Sequence, residues 1–433
     1  MKRFFLLIVM ALVLFACGED RGALLKVYNW GDYIDESILP EFEQWYEEQT
    51  GEKVSVIYQT FDVNETALSK IEKGHEDFDL VCPSDYIIER MLAKDLLLPI
   101  DRDFGETPNY IDENISPYIK KNFRLIEGNG KDANDYAVGY MWGTTGILYN
   151  GKYVTDQEAS TWGILKNEKF AGKLFVKDAA RDMYCVMLIH LRAKEIADSL
   201  ISRRSLMYYD PSGKNIADVE EYFKGVKNNI AGWEADFGKE QMVQERGYVN
   251  LSWSGDAVWA IEEAAEVGVD LRYSVPEEGS TVWFDGWVIP KYAQNVKAAK
   301  YFINFLCRPD ITVRNVDVIG YVSASKAPEV LEANIDDSYD PINLTYFFGP
   351  EADSVRANPV MYPDSTVIAR CDMEHDWGEH TEELISMWSR IKGDNASYTT
   401  VIVIAIVALI LVSLILKRLF GKRGGRKHGA RRR

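Results

Sequence analysis

Leu24-Leu25-Lys26-Val27-Tyr28, Val54-Ser55-Val56-Ile57-Tyr58 and Phe78-Asp79-Leu80-Val81-Cys82 are three short β-type runs with helical patterns between them, and that order decides the fold. Residues 38–48 carry apolar side chains at helical spacing and are closed by Gly51. Asn64 is placed to cap a second helix through Lys73, ended by Gly74. A third helical pattern covers residues 86–94. Strands alternating with helices predict a mostly parallel, doubly wound sheet, hence an α/β fold. Ligands in such sheets sit beyond the carboxyl ends of the strands. Those ends are Asn29-Trp30-Gly31-Asp32-Tyr33, Thr60-Phe61-Asp62 and Pro83-Ser84-Asp85-Tyr86.

A second lobe is expected after Met141-Trp142-Gly143. Residues 173–176 read as a strand, 177–181 as a loop and 183–194 as a helix. Residues 249–252 are strand-like, and Gly255-Asp256 precede a helix over 257–266. Residues 271–275 and 281–289 read as strands, and 298–306 as a helix. The water-soluble region of about 380 residues exceeds a typical single core, so two lobes are expected.

Both ends carry membrane signals. Lys2 and Arg3 precede the apolar run 4–16, which stops at Leu14-Phe15-Ala16-Cys17; this predicts a signal peptide over 1–16 and a lipoprotein acylated on Cys17. A signal anchor that is never cleaved is the alternative. Residues 401–416 are apolar except for Ser413, so a transmembrane helix is expected over 398–416. The tail 417–433 holds nine Lys/Arg and no acid, which keeps it cytoplasmic and the middle of the chain outside. With the ends set aside, 67 Asp+Glu face 38 Lys+Arg, an excess of 29 negative charges. Such a surface argues against nucleic acid, whose phosphates need clustered bases. It suits a cationic ligand. Apart from Cys17, the cysteines Cys82, Cys185, Cys307 and Cys371 are scattered and in no metal-ligand spacing; export permits disulfides, but nothing selects a pairing.

The strand-end loops resemble those of the spermidine/putrescine-binding proteins, the substrate-capturing subunits of bacterial polyamine ABC importers. The matching pieces are Tyr28 to Tyr33, Val81 to Tyr86, Tyr140 to Gly146, Trp253-Ser254-Gly255-Asp256, Trp283-Phe284-Asp285, Asn304 to Asp310 and Ile319-Gly320-Tyr321. They stand in family order over most of residues 24–392. The resemblance implies a two-lobed periplasmic-binding-protein fold (type II) with the chain crossing between lobes near Trp142 and again near Phe284. Lobe 1 is expected over 24–141 with a returning segment at about 285–330, and lobe 2 over 142–284 with a return at about 331–392; residues 17–23 and 393–397 are linkers. Closure of the lobes would trap ligand and hand it to permease subunits driven by a separate ATPase, with no catalysis and no cofactor.

By motif position, the resemblance makes Trp30, Tyr33, Tyr86, Trp253, Trp283 and Tyr321 the aromatic walls. Asp182, Asp256 and Asp285 become the carboxylates, Ser84 a hydroxyl partner and Asp32 a further acid. The chemistry suits a polyamine. Its methylenes want apolar walls, aromatic faces also attract cations, and carboxylates hold ammoniums by charge-assisted hydrogen bonds. Two family patterns are mixed. Ala179 stands where spermidine binders carry a carboxylate, Asp32 and Asp256 resemble the putrescine pattern, and Trp283 resembles the spermidine pattern. Glu374, aligned where spermidine binders present a glutamine, could supply the missing charge.

Plainer readings exist for each residue. Trp30 and Trp253 could be core aromatics at strand ends. Asp182 near a helix start is favoured by the helix dipole alone, and Asp256 could be only a helix cap. Asp285 is the best single candidate, because an acid inside the apolar run 281–289 is costly unless paired. The run His375-Asp376-Trp377-Gly378-Glu379-His380 fits neither common zinc-helix spacing, so no metal site is expected. No Gly-x-Ser-x-Gly and no phosphate-cradling glycine loop is present. The competing functions are a binding protein for thiamine, iron or a carbohydrate on the same fold, and an exported glycoside hydrolase using paired carboxylates.

Overall fold

The computed structural model describes residues 21–393. The leader, Cys17, the apolar segment 398–416 and the basic tail lie outside the described residues. Among the described residues no helix is long and apolar enough to cross a membrane. Residues 21–381 belong to one unit, and the described part of a second unit, from Glu382, is the remainder of the helix Thr381–Gly393.

The first unit is organised by β1 (Leu24–Trp30), α1 (Ile38–Thr50), β2 (Ser55–Phe61), α2 (Asn64–Glu72), β3 (Leu80–Val81) and α3 (Asp85–Ala93). β1 runs parallel to β2 from Leu24↔Ser55 to Trp30↔Phe61, and parallel to β3 on its other side. α1 buries Ile38, Phe42, Trp45 and Tyr46 and ends at Gly51, whose φ of 71° is the left-handed turn that glycine allows at low cost. A second parallel set follows: β5 (Leu174–Lys177), β6 (Ile230–Glu234) and β7 (Val249–Trp253), with α4 (Ala180–Leu191) and α5 (Ser254–Glu266) leaving the strand ends.

Two long antiparallel strands join the sets. β4 (Ala137–Asn150) and β9 (Ser280–Pro290) are buried along their whole length, and β8 (Leu271–Ser274) flanks β4. The strand order is β2-β1-β3-β9-β4-β7-β5-β6. Trp142 and Phe284 are paired across β4 and β9, and the register shifts between Phe284 and Gly286. Asp285 sits at that irregularity, where a bulge re-aims a side chain out of the regular alternation. The fold is therefore α/β, with mostly parallel outer strands and an antiparallel centre.

Several boundaries differ from the sequence reading, for one reason: polar residues at the strand ends are used by the tertiary structure. Lys177 completes β5 instead of opening a loop, and α4 starts at Ala180, putting Asp182 in its first turn. α5 starts at Ser254 with Trp253 at its cap position, so Asp256 is a first-turn residue and not the cap. Asn64 is likewise the first residue of α2, with Val63 at the cap; its side chain is drawn off to Ser84 and Tyr86.

Candidate ligand-binding site

Asp285 is the centre of the polar cluster at the strand ends. It is 5% exposed, yet it meets hydroxyls and no base. Tyr33 donates to its Oδ2 at 2.8 Å and Ser84 donates to its Oδ1 at 2.6 Å. Asn64 supports this pair, its Nδ2 donating to both Ser84 Oγ and Tyr86 Oη at 3.0 Å. Burial pushes the Asp285 carboxyl up to about 7, against the lowering effect of the two hydroxyls.

Asp182 and Glu374 extend the acidic set. The Trp253 indole N–H donates to Asp182 Oδ1 at 3.0 Å, and Thr145 Oγ1 stands 3.3 Å from the same oxygen. Burial raises the Asp182 carboxyl above its ordinary value. Glu374 is 3% exposed, its Oε1 has no hydrogen-bond donor among the described residues, and burial followed by the charges of Asp182 and Asp85 drives its carboxyl well up. Among the described residues none of these three acids forms an ion pair with Lys, Arg or His. Uncompensated carboxylates held close together are costly in a folded protein.

Asp256 is different. Its Oδ2 accepts from Lys177 Nζ at 2.5 Å, its Oδ1 accepts from Tyr321 Oη at 3.0 Å, and Lys239 stands 3.6 Å away. Burial alone would raise the Asp256 carboxyl, but Lys177 and Lys239 hold it below its usual value. Glu234, at the end of β6 beside Lys177, lies 3.6 Å from the same ammonium.

The aromatic residues fill the space between these acids. Tyr321 meets Tyr33 edge-on at 5.1 Å and Trp283 at 5.6 Å between ring centroids. The Trp253 face lies 4.2 Å from Lys177 Nζ, and the Arg181 guanidinium sits 4.5 Å from the Tyr86 ring while donating to the His375 carbonyl at 2.8 Å. Of the residues named from sequence, Tyr33, Ser84, Tyr86, Asp182, Trp253, Asp256, Trp283, Asp285 and Tyr321 are linked by these contacts, and Glu374 joins them through the charge it shares with Asp182. Trp30 packs on Phe61 at 4.6 Å, its Nε1 without a partner among the described residues. Asp32 is exposed with φ 50°, and among the described residues no hydrogen-bond partner places it in the cluster. His375 and His380 stack on different tyrosines, Tyr208 and Tyr209.

Sequence reasoning missed Asn64, Asp85, Lys177, Arg181 and Glu234. Asp85 is buried beneath the site, accepting from the Tyr86 and Phe284 N–H groups at 2.7 and 3.1 Å. Lys177 had a signal: a lysine closing the apolar run Leu174-Phe175-Val176 needs a carboxylate to be buried there.

Two parallel strand sets spliced by long central strands, with carboxylates and aromatic rings at the meeting strand ends, define a two-lobed solute-binding protein. The chain belongs to the bacterial extracellular solute-binding protein family, whose model matches residues 43–334. It is 27% identical over 390 residues to the spermidine/putrescine-binding periplasmic protein of Escherichia coli, covering 88% of this chain and 95% of that one. It is 29% identical over 363 residues to the putrescine-binding periplasmic protein of the same organism, covering 80% and 85%. The crystal structure of the spermidine/putrescine ABC transporter substrate-binding protein of Streptococcus pneumoniae superposes with a TM-score of 0.61 at 28% identity, over 85% of this chain and 98% of that one. Proteins of this family bind solutes and are not enzymes.

Proposed function

We propose that this protein captures a polyamine outside the cytoplasm and delivers it to the permease of an ABC importer. One observation carries the reading: Asp285, Asp182 and Glu374 share one aromatic-walled cluster, and among the described residues no basic side chain pairs with any of them. An ammonium between such acids supplies the missing charge, and Tyr33, Tyr86, Trp283 and Tyr321 give the methylenes apolar contact. A sugar needs donors as well as acceptors and would leave the acids unneutralised. The names of the relatives from Escherichia coli and Streptococcus pneumoniae support the same ligand class.

In this reading residues 24–141 and 285–330 form one lobe, residues 142–284 and 331–392 the other, and closure between them signals the permease. Acylated Cys17 and a spanning helix over 398–416 hold both lobes on the outer face, with 417–433 inside. Loss of membrane retention on Cys17→Ala would make the lipid the working anchor; unchanged retention assigns that role to the apolar segment.

Calorimetric titration of the full-length protein with putrescine, cadaverine, spermidine and spermine tests the ligand class, with thiamine and maltose as controls. One-to-one binding of an amine at micromolar or tighter affinity is expected. Heat with a control and none with any amine would overturn the assignment.

A further inference from the structure

Lys177 is a cation installed where a ligand cation would be expected. Its ammonium lies 4.2 Å from the Trp253 ring centroid and 2.5 Å from Asp256 Oδ2, and its side chain is 2% exposed. An aromatic face with a carboxylate beside it is the arrangement that receives an alkylammonium, and here the lysine's own butyl-ammonium chain receives that treatment. The same Asp256 carboxylate accepts from Tyr321 Oη, and the Tyr321 ring touches those of Tyr33 and Trp283. Lys177 therefore sits at one end of a continuous row whose other end is Asp285.

The acids at this end are largely offset by lysines of the protein. Lys177 pairs with Asp256 and Glu234, while Lys239 approaches Asp256 at 3.6 Å and Asp236 at 2.7 Å. Arg181, the other buried cation nearby, is held by the His375 carbonyl and by the rings of Tyr86 and Trp377. Asp85, beneath the site, is satisfied by two backbone N–H groups. Asp285, Asp182 and Glu374 remain to be neutralised, and three acids take few ammoniums.

Resting on the polyamine reading above, we propose that Lys177 is a specificity-determining residue that fills one ammonium subsite from within, so that the site takes short diamines and rejects longer polyamines. A third ammonium of a longer ligand would meet Lys177 on the Trp253 face, where like charges at close range repel. The outermost positive group is thus supplied by the protein.

The test is the ratio of affinities for putrescine and spermidine, measured by calorimetry on the full-length protein. The wild type should bind putrescine at least about tenfold more tightly. In the charge-balanced variant Lys177→Met/Glu234→Gln, spermidine should gain at least about tenfold relative to putrescine, as its third ammonium takes the place on Asp256. A merely structural ion pair would weaken both amines by one factor and leave the ratio fixed, which would overturn the proposal. Wild-type protein that binds spermidine as tightly as putrescine also overturns it, whatever the variant does. Absence of binding to every amine would instead sink the functional reading, and this inference with it.

Discussion

The Tyr33 hydroxyl donates at 2.8 Å to Oδ2 of Asp285, a residue 252 positions further along the chain. The contact ties the loop after β1 to the irregular point of β9, and Ser84 completes it on the other oxygen. Two neutral donors orient the carboxylate without neutralising it. Above its raised titration point the folded protein thus keeps a desolvated negative charge that a bound cation can satisfy. Asp285→Asn should accordingly weaken amine binding by about 2–5 kcal/mol, the range for losing one partner of a desolvated charge pair. The folded protein should melt no lower than wild type, because the substitution removes a charge that burial disfavours. Calorimetry and a thermal melt read both, and unchanged affinity in a folded variant would remove Asp285 from the site.

The same carboxyl gives the free protein an unusual pH dependence. Its folded value is raised to about 7, while an unfolded aspartate titrates near about 3.9. Between these limits the folded chain binds more protons than the unfolded one, so stability falls as pH rises. Asp182 and Glu374 are shifted in the same direction. Asp256 is shifted oppositely, and its contribution is lost only as pH falls through its lowered value, below this window. The unliganded protein should therefore melt at a higher temperature at pH 5.5 than at pH 7.5, with amine affinity rising between those two values. A saturating diamine should give its larger melting shift at pH 7.5. An affinity that is flat with pH would show that the ligand meets no titrating carboxyl.

How far the sequence could be read depended on what each residue needs. Periodicity placed the strand and helix cores of α1, α5 and β9, because burial on one face or on all faces leaves a local pattern. The motif loops pointed to Tyr33, Ser84 and Asp285, which are joined by hydrogen bonds through the Asp285 carboxylate, and to Asp182 and Trp253, which form a second such pair. What stayed illegible was partnership. Asp182 and Asp256 look alike in sequence, each an acid at a helix start, yet one lacks a counter-ion while the other is matched by Lys177 from a neighbouring strand. Asn64 looked like a cap because Asn is a good cap; its amide is instead drawn to Ser84 and Tyr86, twenty and more residues away. Long-range pairing of this kind has no local signature.

The four cysteines of the described residues are free thiols. Burial pushes Cys307 and Cys371 up to about 12, and it raises Cys82 and Cys185 well above the ordinary thiol value. The thiolate is the reactive form, so all four should be inert in the native state. Reductant is expected to leave the melting temperature unchanged. A thiol reagent should label Cys82, Cys185 and Cys307 at the rate of unfolding, ahead of which only the half-buried Cys371 is within reach, and rapid native labelling of the buried three by an aromatic disulfide would contradict their burial.

Gly255 tests how tightly the aromatic row is packed. A Cβ at this position would lie 2.4 Å from three ring carbons of Tyr321, well inside contact distance. The ring has little freedom to retreat, being flanked by Tyr33 and Trp283 and tethered through its hydroxyl to Asp256, the next residue. Overpacking of this kind costs about 1–3 kcal/mol, and the displaced ring would also release its bond to Asp256. Gly255→Ala should lower both the melting temperature and amine affinity, the latter by about tenfold or more. Crowding against Tyr321 predicts coupling: the stability cost of Gly255→Ala should shrink in a Tyr321→Ala background, where the clash is gone. Equal costs in the two backgrounds, read from a denaturant cycle, would place the strain elsewhere in the first turn of α5.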